Sequence, residues 1–221
     1  MLGLPAFPKE TSSYDLVVVG GGIAGMCAVV TAARMGCKVA LVNDRPVLGG
    51  NNSAEVRVHL GGYAEIGPNE GLGRMLREFG HSKRGNAQPA EYYEDDKKKN
   101  FIEAEKNVTL YANYRAVSVQ MNGTGISSVV IKHIETGEEI CLKAALFSDC
   151  TGDGTIGYLA GADFRMGRES RSEFGESLAP EKADSLTMGA SIQWYSKDNG
   201  KKRFSLNSNT EWSLTRIIVR K

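Results

Sequence analysis

Tyr14-Asp-Leu-Val-Val-Val-Gly-Gly-Gly-Ile-Ala-Gly25 is the stretch on which the fold turns. A short, continuous β-branched run leading into glycines reads as a strand buried on both faces. Ile23 to Met35 follows with Ile23, Met26, Cys27 and Val30 at helical spacing, and Gly36 closes it as a C-cap. Lys38 to Val42 is a second buried strand. Strand, glycine turn, helix and strand within about 30 residues make a βαβ unit with parallel strands, so the fold class is α/β. Gly20, Gly22 and Gly25 fit the G-x-G-x-x-G spacing. The first glycine permits the tight turn, the second lets the backbone approach a pyrophosphate, and the third lets helix pack on strand. Phosphates then meet the helix N-terminus at Ile23 and Ala24, where free N–H groups and the dipole favour anions.

The acidic residue expected some 20 positions later for ribose hydroxyls falls at Asn43-Asp44. Asn43 holds the place by strand register, and Asp44 comes one residue late. Arg45 is equally readable as the partner of a 2′-phosphate, which keeps NADP open, and Asp44 with Arg45 is also readable as a plain turn.

Working outward, 221 residues suffice for one well-buried domain, and 26 glycines exceed the usual share. The 27 basic side chains nearly cancel 26 acidic ones, so no field for collecting nucleic acid is expected. No apolar run approaches the roughly 20 residues of a membrane span, so no membrane partner is expected. The start, Met1 to Phe7, lacks the pattern of a signal peptide, which gives a cytoplasmic expectation. Cys27, Cys37, Cys141 and Cys150 form no C-x-x-C pair and read as reduced thiols in apolar segments, with no metal site.

Arg45 to Gly67 reads as loop. Asn69 then caps a short helix whose Leu72, Met75, Leu76 and Phe79 share a face, closed by Gly80. Glu91 to Lys106 reads as another helix, with Asp95-Asp-Lys-Lys-Lys99 a solvated surface. Val108 to Tyr111 is the third parallel strand. Arg115–Met121, Ile126–Ile134 and Glu139–Lys143 are short β runs split by Asn122-Gly123 and Thr136-Gly137, the signals of an antiparallel meander. Ala145 to Asp149 returns as a buried strand into Cys150-Thr-Gly-Asp-Gly154, and Thr155 to Gly161 starts a helix. The expected organisation is a tail over 1–12 and a nucleotide-binding domain over 13–165 with the meander at 113–144. The start of an incomplete substrate domain over 166–195 and a polar tail over 196–221 follow.

Two features favour flavin over nicotinamide. Leu48-Gly-Gly-Asn-Asn-Ser53 follows the second strand at once, a backbone-rich turn suited to a long cofactor. The meander also stands where a simple nicotinamide domain places a helix. On Val19–Gly25, Arg45–Ser53 and Asp149–Gly154, the chain from Tyr14 to Trp194 resembles the FAD-dependent oxidoreductase family of the glutathione reductase-like flavoproteins. The resemblance implies a Rossmann-like FAD-binding domain with a parallel sheet and an inserted meander. It also implies FAD as cofactor, and hydride or electron transfer to or from a small-molecule substrate. By the same resemblance, Gly20, Gly22 and Gly25 cradle the pyrophosphate and Asn43 faces the adenosine ribose. Gly49, Gly50, Asn52 and Ser53 line the ribityl and flavin side, Ala116 lies near adenine, and Thr151, Gly152 and Asp153 close the site. Relatives carry a Glu where Asn43 stands, and a later substrate domain and C-terminal motif, so residues 1–221 are expected to be a poor enzyme alone. A nicotinamide-dependent dehydrogenase and a non-catalytic nucleotide-binding fragment are the rival readings.

For chemistry beside the cofactor, His59 with Arg57 follows the glycine loop, and Tyr63 is near in sequence. An imidazole beside a cation suits deprotonating an alcohol or holding an anion. The alternative is that both share one face of a strand and satisfy local hydrogen bonds. His81 and His133 read as surface residues. Arg165, Arg168 and Arg171 read as a solvated loop, with carboxylate binding as the alternative.

Overall fold

The computed structural model describes residues 10–61, 71, 73–80, 83 and 85–189. The expectations placed on Tyr63, Asn69, Leu72, His81 and the 196–221 tail lie outside the described residues. The first unit is β1 (Glu10–Val19), α1 (Ile23–Arg34) and β2 (Val39–Asn43). It continues through α2 (Arg74–Phe79), a 3-10 turn at Ala90–Tyr92, α3 (Asp95–Glu103) and β3 (Val108–Ala112). Next come β4 (Tyr114–Asn122), β5 (Gly125–His133), β6 (Glu139–Asp149), α4 (Thr155–Leu159) and α5 (Arg171–Phe174).

All six strands form one sheet in the order β3-β2-β1-β6-β5-β4. β3, β2, β1 and β6 run parallel, while β5 pairs antiparallel with both β6 and β4. The β-branched run of β1 is buried on both faces because adjacent side chains point to opposite sides. Val18 packs with Met26, Val29, Val30, Leu41 and Ile102 on the helical side. Val17 and Val19 pack with Val42, Ala116, Val129, Ile131 and Ile156 on the other. The meander thus covers the second face, the task a crossover helix performs in simpler nucleotide-binding sheets. Tyr111 ties the curl together: its ring meets Tyr114 edge-on, and its hydroxyl lies 2.8 Å from that of Tyr14.

Three sequence expectations change. The runs Glu139–Lys143 and Ala145–Asp149 are one strand, β6. Its first half pairs with both β5 and β1, and its second half with β1 alone. β1 correspondingly begins at Glu10, inside the stretch read as a tail, because Glu10 to Tyr14 runs alongside Ile140 to Ala144. The charged run Asp95–Lys99 is no solvated surface throughout: Lys98 is fully buried. Its position inside α3 turns it inward, to the Tyr93 carbonyl just before the helix and the Asp95 carboxylate of the first turn.

Candidate functional site

A cavity of about 680 Å³ opens at the carboxyl ends of β1, β2 and β6, the place where open α/β sheets bind ligands. Its floor is the glycine turn. Gly20 has φ +110°, and a Cβ there would overlap the Cys150 carbonyl; a Cβ on Gly25 would overlap the carbonyl of Gly20. Those two glycines are required by the protein's own packing. Gly22 is different: its φ of −68° suits any residue, and a Cβ there would meet nothing within 4 Å. The space it leaves belongs to the cavity. Gly22 is also the N-cap of α1 and offers no side-chain acceptor, and the first helical bond runs from Met26 to Gly22. The N–H groups of Ile23, Ala24 and Gly25 therefore precede the helical ladder.

The second glycine turn lies against the first. Gly49 N–H donates to Gly21 O at 2.8 Å, and a Cβ on Gly50 would stand 3.2 Å from the Gly22 Cα. Ser53 Oγ donates to Gly50 O, and Asn52 Nδ2 donates to Val58 O, so the loop is held by its own side chains. Asn52 is buried, and its Oδ1 is the one buried side-chain oxygen without a hydrogen-bond partner among the described residues. A buried acceptor without a partner, on a residue that lines the cavity, is open to a donor from a bound molecule.

Behind this loop lies the buried charge. Lys98 Nζ donates to Tyr93 O at 2.5 Å and to Asp95 Oδ1 at 3.0 Å. Asp95 Oδ2 accepts the N–H of Ala54, so the pair fastens α3 to the end of the glycine loop. Burial pushes the Lys98 ammonium down from its ordinary range, opposed by the hydrogen bond and charge of Asp95.

Asn43 is buried, and its side chain is consumed locally. Oδ1 accepts Gly21 N–H at 3.1 Å, and Nδ2 donates to Arg45 O and Val47 O. It therefore braces the first glycine turn against the segment that follows β2. Asp44, Arg45 and Arg115 line the cavity beside it, with Arg45 paired to Glu55 at 3.0 Å.

At the end of β6, Asp149 organises the third turn. Its Oδ1 accepts the N–H and hydroxyl of Thr151, and its Oδ2 accepts the N–H groups of Ile156 and Gly157 at the start of α4. Burial raises the Asp149 pKa, but these four donors outweigh it and hold the carboxyl below its usual range. Thr151, Gly152 and Asp153 face the cavity as a result.

The structure thus brings Gly20, Gly22, Ile23, Ala24, Asn43, Asp44, Arg45, Gly49, Gly50, Asn52, Ala116, Thr151, Gly152, Asp153 and His59 around one space. Gly25, Ser53 and Arg57 stand outside its lining. Arg57 departs most from expectation: no strand forms over Glu55–Leu60, and Arg57 sits at φ +66° with Nε donating to Ala54 O. The loop's turns, and not a strand face, set the direction of its side chain. Arg165, Arg168 and Arg171 are engaged by Glu173, Asp184 and the Ala179 carbonyl. Sequence reading passed over Asp149, Lys98 and Arg115. Asp149 had a local signal, a carboxylate two residues before Thr151, the spacing at which an Asp side chain accepts the N–H of a turn. No metal-binding cluster is found among the described residues, and no helix among them is long and apolar enough to cross a membrane.

A family model described as FAD dependent oxidoreductase matches residues 15–217. The tRNA uridine 5-carboxymethylaminomethyl modification enzyme MnmG of Treponema denticola is 29% identical over 195 residues, covering 76% of this chain and 31% of that protein. The soluble pyridine nucleotide transhydrogenase of Ectopseudomonas mendocina is 54% identical over 67 residues, 30% of this chain and 12% of its own length. Among solved structures, Thermovibrio ammonificans THI4 gives a TM-score of 0.49 at 21% identity, with 77% of this chain and 76% of that one covered. The chain spans less than a third of the length of these two curated relatives. With the glycine turns, the open Gly22 position and the family match in one place, the nicotinamide alternative gives way: the chain belongs to the FAD dependent oxidoreductase family and carries its nucleotide-binding portion.

Proposed function

We propose that the cavity holds FAD non-covalently and that the chain presents the flavin to a small oxidisable or reducible substrate. The observation that carries this is Gly22, whose missing side chain opens on the cavity although nothing in the protein requires a glycine there. The pyrophosphate lies at Gly20–Ala24, against the N–H groups that start α1. With the Asn43 amide engaged by three backbone groups, ribose recognition falls to Asp44. Gly49, Gly50 and Asn52 flank the ribityl chain, where Asn52 Oδ1 accepts a hydroxyl hydrogen, and Thr151–Asp153 close the far side. Ser53 and Gly25 serve from behind, through the loop and the helix packing. No His or Cys lies in Gly49–Ser53 to form a covalent link.

Bound FAD supplies hydride and electron transfer; the protein contributes position and proton handling. His59, on the cavity wall, is the residue placed to exchange a proton with substrate. Titration of the apo chain with FAD should quench flavin fluorescence to a stoichiometric end point, and acid release followed by chromatography should return FAD. Recovery of FMN or NADP, or no saturable binding, would refute the proposal.

A further inference from the structure

His59 makes two contacts to a single atom. Its main-chain N–H donates to Asn86 Oδ1 at 2.9 Å, and its ring Nδ1 lies 2.6 Å from the same oxygen. A main-chain N–H only donates, so the atom it meets must be the amide oxygen and not the amide nitrogen. That oxygen accepts in turn from the ring, so Nδ1 carries the hydrogen. In the neutral imidazole the lone pair is then on Nε2, which has no hydrogen-bond partner among the described residues.

The turn bearing Asn86 is itself anchored. Ala87 N–H donates to Arg57 O at 2.9 Å, and the Tyr93 hydroxyl donates to the same carbonyl at 2.6 Å. Arg57 adopts φ +66°, a costly conformation for a side chain of its size. Two donors from the 86–93 segment meet its carbonyl in that conformation. Two residues further on, the chain delivers His59 to the cavity wall with its ring nitrogens already distinguished.

We infer that Asn86 is a positioning residue, which fixes the tautomer of His59, a residue of the cavity wall, so that Nε2 is the proton acceptor. The inference rests on the FAD-binding reading above. In the forward direction the O–H or N–H bond of a substrate alcohol or amine breaks and its proton passes to Nε2. The adjacent carbon loses hydrogen with its electron pair as the hydride that FAD chemistry takes up, and a C=O or C=N bond forms. Oxidation at a carbon bearing a hydroxyl or amine is therefore the reaction class this arrangement serves.

The test is the ring nitrogen spectrum of His59 in the ¹⁵N-labelled full chain near pH 8, above ordinary imidazole titration. A His59→Gln sample assigns the signal among the three histidines. The wild type is expected to show a protonated Nδ1 and a bare Nε2. Asn86→Asp, which still offers an oxygen to both donors, should keep that pattern. Asn86→Leu should lose it toward the Nε2–H form. A wild-type ring protonated at Nε2, or an Asn86→Leu ring still protonated at Nδ1, would overturn the inference. FAD titration of the same samples separates the two readings, since a chain with the stated tautomer that takes up no FAD refutes the cofactor proposal alone.

Discussion

Four glycines within six positions do different physical work, and substitution separates them. Gly22→Val should leave the apo protein's melting temperature close to wild type, because the added side chain enters open space. FAD affinity should fall by about tenfold or more, equivalent to roughly 1.4 kcal/mol, as read by fluorescence titration. Gly20→Ala should do the reverse first. Its φ of +110° and the overlap with Cys150 O predict a loss of apo stability of about 1–3 kcal/mol before any ligand is added. Asp149 belongs to the same scale. Asp149→Ala removes the acceptor for four donors and should lower stability by about 1–2 kcal/mol in denaturant titration. Because its folded pKa is depressed, its contribution is complete above the ordinary carboxyl value of about 3.9 and is lost as pH falls through the lower folded value. The wild-type advantage over the alanine variant should therefore persist at neutral pH and shrink only in acid.

At the level of elements, α3 is where the sequence misleads. A run of two acids and three lysines predicts a solvated face, and Lys99 with Glu103 behaves that way. Lys98 does not, because its two acceptors are a carbonyl just before the helix and a carboxylate that also receives Ala54 N–H from the glycine loop. No local pattern carries that information, since the loop reaches α3 only through the fold. Lys98→Ala, which strands the Asp95 carboxylate and leaves a gap behind Gly49, should destabilise by on the order of 3 kcal/mol. Lys98→Met, which keeps the volume, should retain most of the helix by circular dichroism yet loosen FAD, measured as a faster dissociation rate. By contrast, the βαβ unit was legible at once: β1, α1 and β2 fall within a few residues of the pattern read from apolar period and glycines. The continuity of β6 was not legible, because its pairing partners are set by two different strands.

At the scale of the molecule, the cavity is assembled from segments around Gly20, Asp44, Gly50, Ala116 and Thr151, far apart in sequence and met only in the folded chain. A ligand that touches all of them stabilises the whole. FAD at 100 times its dissociation constant should add about 2.7 kcal/mol, visible as a rise in melting temperature that scales with concentration and is absent with NADP. The sheet order has one more consequence, for the chain as it is being made. β1 lies between β2 and β6, and Val19 pairs with Asp149, about 130 residues later. At about 5–20 residues per second of synthesis, one flank of β1 waits roughly 6–26 s for its neighbour. During that interval the growing polypeptide offers a bare, β-branched ribbon to any passing strand. The turn around Thr151 is made last of the cavity's segments, so the newborn protein completes the cavity only after this exposure has ended. A ribosome-bound helper that shields the early βαβ unit would act in that window, and slowing translation before Glu139 should raise the share of chains lost to aggregation.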